Sequence, residues 1–312
     1  MNQPVGVLRV VDPFQAGEAW VPLSPPGYRV AVEPLPWPPR ATDVARIAAA
    51  AAREGARIVH ACGRWANVIG VPAARLVRAK AVCTDPGPLR LAEAVALQAA
   101  DAIMCDSRQS RDRCVRKEGV PARKVCVVHP GVDVARFAPR APDEKPLIAA
   151  VGGLFARNGY VDLLEAVARL RAEVPGLRVI CAGEGPMRPV LEQRAAFHGL
   201  RDCVELPGHL ADVSGLLSRA HAAWTPGLRA TLEGMAAGVP VVSGWREVVP
   251  PECVTPRRDA TALAERLLAL LRDARLGPAL RKRAEKEFSL EAFSARVAAM
   301  YGEVLASERA AA

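Results

Sequence analysis

The chain has 312 residues, of which 51% are hydrophobic and 24% charged, a globular composition with room for two domains. No apolar run reaches the ~18 residues of a membrane-spanning helix, and the N-terminus lacks the basic and apolar regions of a secretory signal. The net charge of +9 suits phosphorylated ligands or an anionic membrane surface. Because only 4% of residues are aromatic, without interleaved basic residues, a specific nucleic-acid partner is not expected.

Short apolar runs alternate with helical patterns through the first half of the chain. In the helical pattern that follows the second run, Val44, Ile47, Ala48 and Ala51 are spaced as one face of a helix. The runs predict strands at 7–11, 28–32, 57–60, 81–84, 102–105 and 125–128. Their near-continuous apolar character is typical of parallel strands covered on both faces.

The composition changes once, at the proline-rich segment 139–146, which predicts a semi-rigid linker. Beyond it the alternation resumes, with strands predicted at 147–151, 177–182, 204–206, 222–225 and 239–243. We therefore expect two α/β domains, an N-terminal one at 1–140 and a C-terminal one at 141–288. For the last predicted helix, 289–307, we keep open that it packs back on the first domain.

Glycines follow two strands of the second half. Gly152 and Gly153 end one strand, and Gly183 and Gly185 end the next. Backbone without side chains at a strand end can approach a ligand phosphate, although a tight strand-to-helix turn would need glycine there as well.

A single carboxylate, Glu233, lies in the first turns of the helix after strand 222–225. Ligands of open parallel sheets bind where strand ends meet helix N-termini, and a carboxylate there can accept both hydroxyls of a ribose. The alternative is a carboxylate that only stabilises the helix dipole.

The spacing of the cysteines bears on the cellular compartment, and the absence of common catalytic motifs bears on the class of enzyme. The eight cysteines are scattered without a Cys-x-x-Cys pair, so we interpret them as small buried side chains in the reducing cytoplasm. The chain has no P-loop lysine, dinucleotide-binding fingerprint, zinc-protease motif or nucleophile elbow. It also has no Asp-x-Asp, which argues against a metal-dependent sugar-donor site, and no metal ligands are predicted.

The segment TPGLRATLEGMAAGVPVVS at 225–243 resembles the donor-site signature of retaining family 4 glycosyltransferases, the GT-B type. Further phrases of that family follow its order: HPGVDVARFAP at 129–139, VGGLFARNG at 151–159, AGEGP at 182–186 and a closing helix from 288. The resemblance implies a GT-B-like α/β fold, with two Rossmann-type domains whose parallel sheets face a cleft. It also implies that the second domain binds the donor.

The resemblance identifies candidate site residues and also departs from the family pattern. Family members usually carry arginine where this chain has Gly153 and lysine where it has Asn158. Their first glutamate, eight residues before the second, falls on Thr225 inside the predicted strand, and the following loop, 226–233, is about five residues shorter here. Arg157 and Arg229 are the candidate replacements for the missing cations. The predicted donor-binding residues are Gly152, Gly153, Arg157, Gly183, Gly185, Arg229, Thr231 and Glu233.

Two residues of the first half are the predicted catalytic pair. His60, in IVHA, matches a family strand that ends in histidine, and Asp85, in CTDPG, stands where a catalytic-side histidine is usual. The alternatives are a strand-end histidine in a structural hydrogen bond and an aspartate that starts the Pro86-Gly87 turn.

The resemblance implies transfer of a sugar from a nucleotide-activated donor to an acceptor, with retention and without a metal. The donor is a substrate, so no cofactor is expected. The acceptor is a glycan, a lipid or a small molecule, and the resemblance does not say which. We expect a cytoplasmic location and keep open peripheral contact with the inner membrane face. Because of the missing cations, we keep two alternatives: a catalytically weakened ligand- or partner-binding protein, and another GT-B activity such as a sugar epimerase.

Overall fold

The computed structural model describes residues 4–12, 23–88, 90–255, 258–273 and 275–309. Contacts divide the chain into two compact units. Unit 1 extends to Gly131 and resumes at Leu290, and unit 2 extends from Val132 to Ser289. Each unit contains one parallel sheet.

Unit 1 has a six-stranded sheet in the order β2-β1-β3-β4-β5-β6, in which every pairing is parallel. Its strands are β1 (Val5–Val11), β2 (Tyr28–Pro34), β3 (Ala56–Cys62), β4 (Lys80–Thr84), β5 (Ala102–Cys105) and β6 (Val125–Val127). The helices between them are α1 (Asp43–Arg53), α2 (Arg64–Leu76), α3 (Leu91–Ala99) and α4 (Arg108–Arg116).

Unit 2 has a five-stranded parallel sheet in the order β11-β10-β7-β8-β9. Its strands are β7 (Leu147–Val151), β8 (Arg178–Ala182), β9 (Val204–Gly208), β10 (Ala222–Thr225) and β11 (Val241–Ser243). Its helices are α5 (Tyr160–Glu173), α6 (Arg188–Phe197), α7 (Ser214–Leu217), α8 (Leu228–Ala236), α9 (Ala260–Arg272) and α10 (Leu276–Arg283).

The central strand β7 shows why the strands are apolar throughout. Leu147, Ala149 and Val151 belong to one buried cluster of unit 2, whereas Ile148 and Ala150 belong to another. Since successive side chains of a strand point to opposite faces, both faces of the sheet are covered. Every strand predicted from the sequence is present, with ends that differ by at most a few residues.

The last helix, α11 (Leu290–Arg309), belongs to unit 1. Its buried side chains pack with Val7, Ile58 and Val82 of the sheet; they are Phe293, Val297, Met300, Tyr301 and Val304. Neither α11 nor any other helix in the described ranges is long and apolar enough to cross a bilayer.

The proline-rich segment expected to be a linker is hydrogen-bonded into unit 2. The Arg140 N–H donates to the Ser218 carbonyl at 3.3 Å, and the Asp143 N–H donates to the Arg219 carbonyl at 3.0 Å. The change of unit comes earlier, between Gly131 and Val132.

Candidate functional site

Three loops meet at the carboxyl edge of the unit 2 sheet. Because β7 lies between β10 and β8, the loops that follow these strands are neighbours. A Cβ on Gly152 would lie 2.9 Å from Cγ of Pro226, and a Cβ on Gly183 would lie 2.0 Å from the Gly152 carbonyl oxygen. The edge where the sequence predicts a ligand site is therefore built of closely packed backbone.

The glycines of the loop after β8 are required by contact with the loop after β7. The Leu154 N–H donates to the Glu184 carbonyl at 2.9 Å, and the Leu154 carbonyl accepts from the Met187 N–H at 3.0 Å. A Cβ on Gly185 would lie 2.4 Å from that carbonyl oxygen. Loop packing thus accounts for Gly183 and Gly185, and their contact with a ligand stays a prediction.

The loop after β7 is closed by side chains that bond its own carbonyls. The Asn158 amide donates to the Gly153 carbonyl at 2.8 Å, and the Tyr160 hydroxyl donates to the Gly152 carbonyl at 2.6 Å. Asn158 therefore has a structural role where the family usually has a cation. The guanidinium carbon of the exposed Arg157 lies 4.7 Å from the centre of the Phe155 ring.

The helix α8 begins directly after this edge, at Leu228, and carries Glu233 on its second turn. The Glu233 side chain is 14% exposed, and its Oε1 accepts from Arg229 Nε at 3.1 Å. The two residues predicted to contact ribose and phosphate therefore form an ion pair one turn apart. Mutation of either one also alters the surroundings of the other.

Thr231 is fully buried on the opposite side of the same helix segment. Its Oγ1 lies 3.0 Å from Thr225 Oγ1 and 2.8 Å from Ser243 Oγ, and it donates to the Gly227 carbonyl at 2.9 Å. This chain of hydroxyls ties α8 to the ends of β10 and β11. Thr231 therefore supports the carboxyl edge of the sheet from inside the protein. Its predicted contact with a donor stays a prediction.

His60 of unit 1 is fully buried near the end of β3. Its Nδ1 lies 2.7 Å from the Tyr301 hydroxyl, and its Nε2 lies 3.0 Å from Thr84 Oγ1. Burial lowers the pKa of His60 well below its usual value, and nearby Arg9 acts in the same direction. The imidazole is thus held neutral, with both ring nitrogens in hydrogen bonds.

Asp85 follows β4, with a side chain that is 4% exposed. One carboxylate oxygen is bonded to the Arg113 guanidinium, and the other accepts from the Gly87 N–H at 3.1 Å. Burial raises the pKa of Asp85, and Arg113 opposes that rise. The bond to Gly87 is the turn contact considered as an alternative, while a catalytic role for Asp85 and His60 stays a prediction.

One group of three potential metal ligands occurs in the described part of the chain: Asp85, Cys105 and Cys114, whose ligand atoms lie within 4.8 Å of one another. Arg113 is bonded to the Asp85 carboxylate and lies 3.9 Å from the Cys114 sulfur. A guanidinium therefore already supplies positive charge to this group. The hydrogen bond with Cys114, together with burial, raises the pKa of the Cys105 thiol.

Some residues of these sites were not singled out from the sequence. They are Phe155, Trp245, Ser243, Arg113 and Tyr301. The Trp245 indole donates to the Pro226 carbonyl at 3.0 Å and holds the loop after β10. An aromatic residue just after a strand end was the available signal for Trp245. Arg113 and Tyr301 lie too far along the chain from their partners for spacing to reveal them.

The sequence matches two family models. One described as Glycosyltransferase Family 4 covers residues 9–136, and one described as Glycosyl transferases group 1 covers residues 145–273. The GDP-mannose-dependent alpha-(1-6)-phosphatidylinositol monomannoside mannosyltransferase of Mycolicibacterium smegmatis is 32% identical over 190 residues, which are 53% of this chain and 49% of that protein. The chain spans about half the length of the curated relatives that it matches.

Solved structures share the fold over nearly all of the chain. A glycosyltransferase from Rickettsia africae has a TM-score of 0.83 at 15% identity, covering 97% of this chain and 99% of that one. Anabaena Alr3699/HepE, crystallised in complex with UDP, has a TM-score of 0.79 at 17% identity, covering 96% of this chain and 100% of that one. Both support a GT-B fold with two parallel-sheet domains.

Proposed function

Since the chain belongs to glycosyltransferase family 4, of the GT-B type, we propose that it transfers a glycosyl group from a nucleotide-activated sugar to an acceptor. The name of the mycobacterial relative describes a GDP-mannose-dependent enzyme, and the Anabaena protein binds UDP. These ligands support a nucleoside diphosphate as the donor's leaving group. They leave its base and sugar open.

The observation that carries the proposal is the position of α8. The helix starts at Leu228, just after β10, beside the packed loops that follow β7 and β8. The N–H groups of its first turn and its dipole favour an anionic group at this edge. Glu233, partly exposed on the second turn, is suited to accept the ribose hydroxyls.

The chemistry required of this site is stabilisation of the departing diphosphate. As the bond between the sugar and the diphosphate oxygen breaks, negative charge develops on that oxygen, and fixed dipoles and cations lower the barrier. We assign the start of α8, Arg157 and Arg229 to this role. Retention and independence from a metal are part of the proposal and are supported by family membership.

For the acceptor side, Asp85 and His60 are the proposed residues of unit 1. The acceptor itself is a glycan, a lipid or a small molecule. The free thiols of all eight cysteines support a reducing, cytoplasmic location. The net charge of +9 supports peripheral contact with an anionic membrane face.

Titration calorimetry with UDP, GDP and ADP, each compared with its nucleoside, measures the affinity of the donor site. In a separate unfolding experiment, a diphosphate at 100 times its Kd should raise the free energy of unfolding by about 2.7 kcal/mol. Glu233→Gln should weaken nucleoside and diphosphate alike, by roughly 1–3 kcal/mol, because it removes a charge-assisted bond to ribose.

Arg229→Ala is the matched control, since it breaks the same ion pair and leaves the carboxylate in place. It should weaken the diphosphate more than the nucleoside. No binding of any diphosphate at millimolar concentration would refute the donor site. Binding without sugar transfer or donor hydrolysis would instead indicate a binding protein.

A further inference from the structure

The ring of Phe155 packs against Gly153. A Cβ on Gly153 would lie 2.5 Å from Cε2 and 2.8 Å from Cδ2 of Phe155, closer than atoms can approach. The backbone of Gly153 does not have the positive φ that would itself call for glycine, unlike that of Gly159. The absence of a side chain at position 153 is therefore explained by the ring that covers it.

The same ring carries the guanidinium of Arg157. The guanidinium carbon lies 4.7 Å from the ring centre, a cation–π contact, and Phe155 is 38% exposed. Arg157 is the only charged residue in the segment 152–159. Among the described residues no carboxylate forms an ion pair with it, so the loop presents a cation that is held but not neutralised.

The loop around the ring is fixed by hydrogen bonds. Leu154, the residue before the ring, is fully buried, and its N–H and carbonyl both bond to the loop after β8. The Asn158 amide closes the loop on the Gly153 carbonyl at 2.8 Å. Because the backbone on both sides of Phe155 is held, the ring has a defined position from which to orient Arg157.

We propose that Phe155 is a positioning residue that holds Arg157 to bind the diphosphate of the donor, and that Gly153 is glycine to make room for this ring. The inference rests on the proposed function and adds how its cation is held. A cation–π contact with a ring uses none of the guanidinium N–H donors as hydrogen bonds to an acceptor oxygen, so they stay available for paired bonds to phosphate oxygens. An arginine bonded to a carboxylate has fewer of these donors available.

The experiment measures the diphosphate preference, which is the Kd of the nucleoside divided by the Kd of the diphosphate. The probes are UDP, GDP and ADP with their nucleosides, and the pair that binds the wild type most tightly is used. Arg157→Ala should lower the preference about tenfold, through loss of a charge-assisted bond. Phe155→Ala should lower it about threefold to tenfold, and Phe155→Tyr should preserve it.

Gly153→Ala provides a test that changes no charge and no aromatic ring. Its methyl group displaces the Phe155 ring, so it should lower the preference about as much as Phe155→Ala. In the Arg157→Ala background, neither Phe155→Ala nor Gly153→Ala should lower it further, because contacting residues that act through one group are not additive. Nucleoside affinity and the thermal midpoint should stay near their wild-type values.

The outcomes separate this inference from the proposed function. If the wild type binds a diphosphate but Phe155→Ala and Gly153→Ala keep its preference, the positioning role is refuted and the donor site stands. Equal loss of nucleoside and diphosphate affinity in these variants would also refute it, since the ring would then act on the base or on loop folding. A wild type that binds no diphosphate overturns both.

Discussion

At the scale of single residues, His60 shows how far a side chain's role depends on distant partners. The sequence predicts that it ends a strand, and the structure places it near the end of β3. Its hydrogen-bond partner Tyr301 lies 241 residues further along the chain, on α11. No local pattern could have shown that the imidazole is enclosed by a helix from the other end of the sequence.

Stability should depend on pH through His60. Its pKa is lower in the folded protein than the usual 6.5, so the unfolded chain binds more protons between the two values. The free energy of unfolding therefore decreases as pH falls below 6.5. The contribution of His60 to this decrease is up to about 1.4 kcal/mol per pH unit. Denaturant titrations at pH 7, 6 and 5 should show a shallower loss for His60→Gln than for the wild type.

His209→Gln, at an exposed position, is the control substitution for this measurement. Only the pH dependence is compared, because His60→Gln also removes hydrogen bonds at every pH. Parallel curves for wild type and His60→Gln would contradict the expectation that the folded imidazole resists protonation.

At the scale of elements, the strands were predictable and the contacts between loops were not. The run from Leu147 to Val151 is apolar at every residue and stops at Gly152, so its type and end are visible locally. The loops after β7 and β8 meet because the strands pair in register, which one sequence does not reveal. Thus Gly183 could be predicted at a strand end, but the Gly152 carbonyl against it could not.

The hydroxyl chain that joins α8 to β10 and β11 should contribute measurably to stability. Thr231→Val keeps the shape of the side chain and leaves the buried hydroxyls of Thr225 and Ser243 without their shared partner. We expect the free energy of unfolding to fall by about 1–3 kcal/mol. Chemical denaturation measures this loss, and Thr231→Ser, which keeps the hydroxyl, should recover most of it. Equal stability of the Val and Ser variants would show that packing alone matters there.

At the scale of the whole molecule, the alternation of strands and helices along the sequence predicts the α/β class, and the order of the motifs indicates the family. The boundary between units was not visible in the same way. The proline-rich segment looks like a linker by composition, yet its backbone bonds to residues near 218 in unit 2. Membership of a unit depends on long-range contacts of this kind.

The dependence of unit 1 on α11 can be tested with two substitutions on one helix. Val297→Asp places a charge in the cluster that includes Val7 and Ile58, and should destabilise unit 1 by about 3 kcal/mol or more. Ala299→Asp adds the same charge at an exposed position and should change stability by less than about 0.5 kcal/mol. Hydrogen exchange resolved by peptide should locate the loss in β1 and β3, with β7 and β8 still protected. Loss of protection in unit 2 alone would contradict the assignment of α11.

The return of α11 to unit 1 has a consequence for how the chain acquires its structure during synthesis. Unit 2 is one continuous segment of the chain. One face of the unit 1 sheet, by contrast, is covered by side chains that are translated as late as Val304. On the ribosome, the half that is translated first is therefore completed last. Until α11 emerges, the apolar face formed by Val7, Ile58 and Val82 is uncovered, and a nascent chain is most exposed to aggregation in the half that it made earliest.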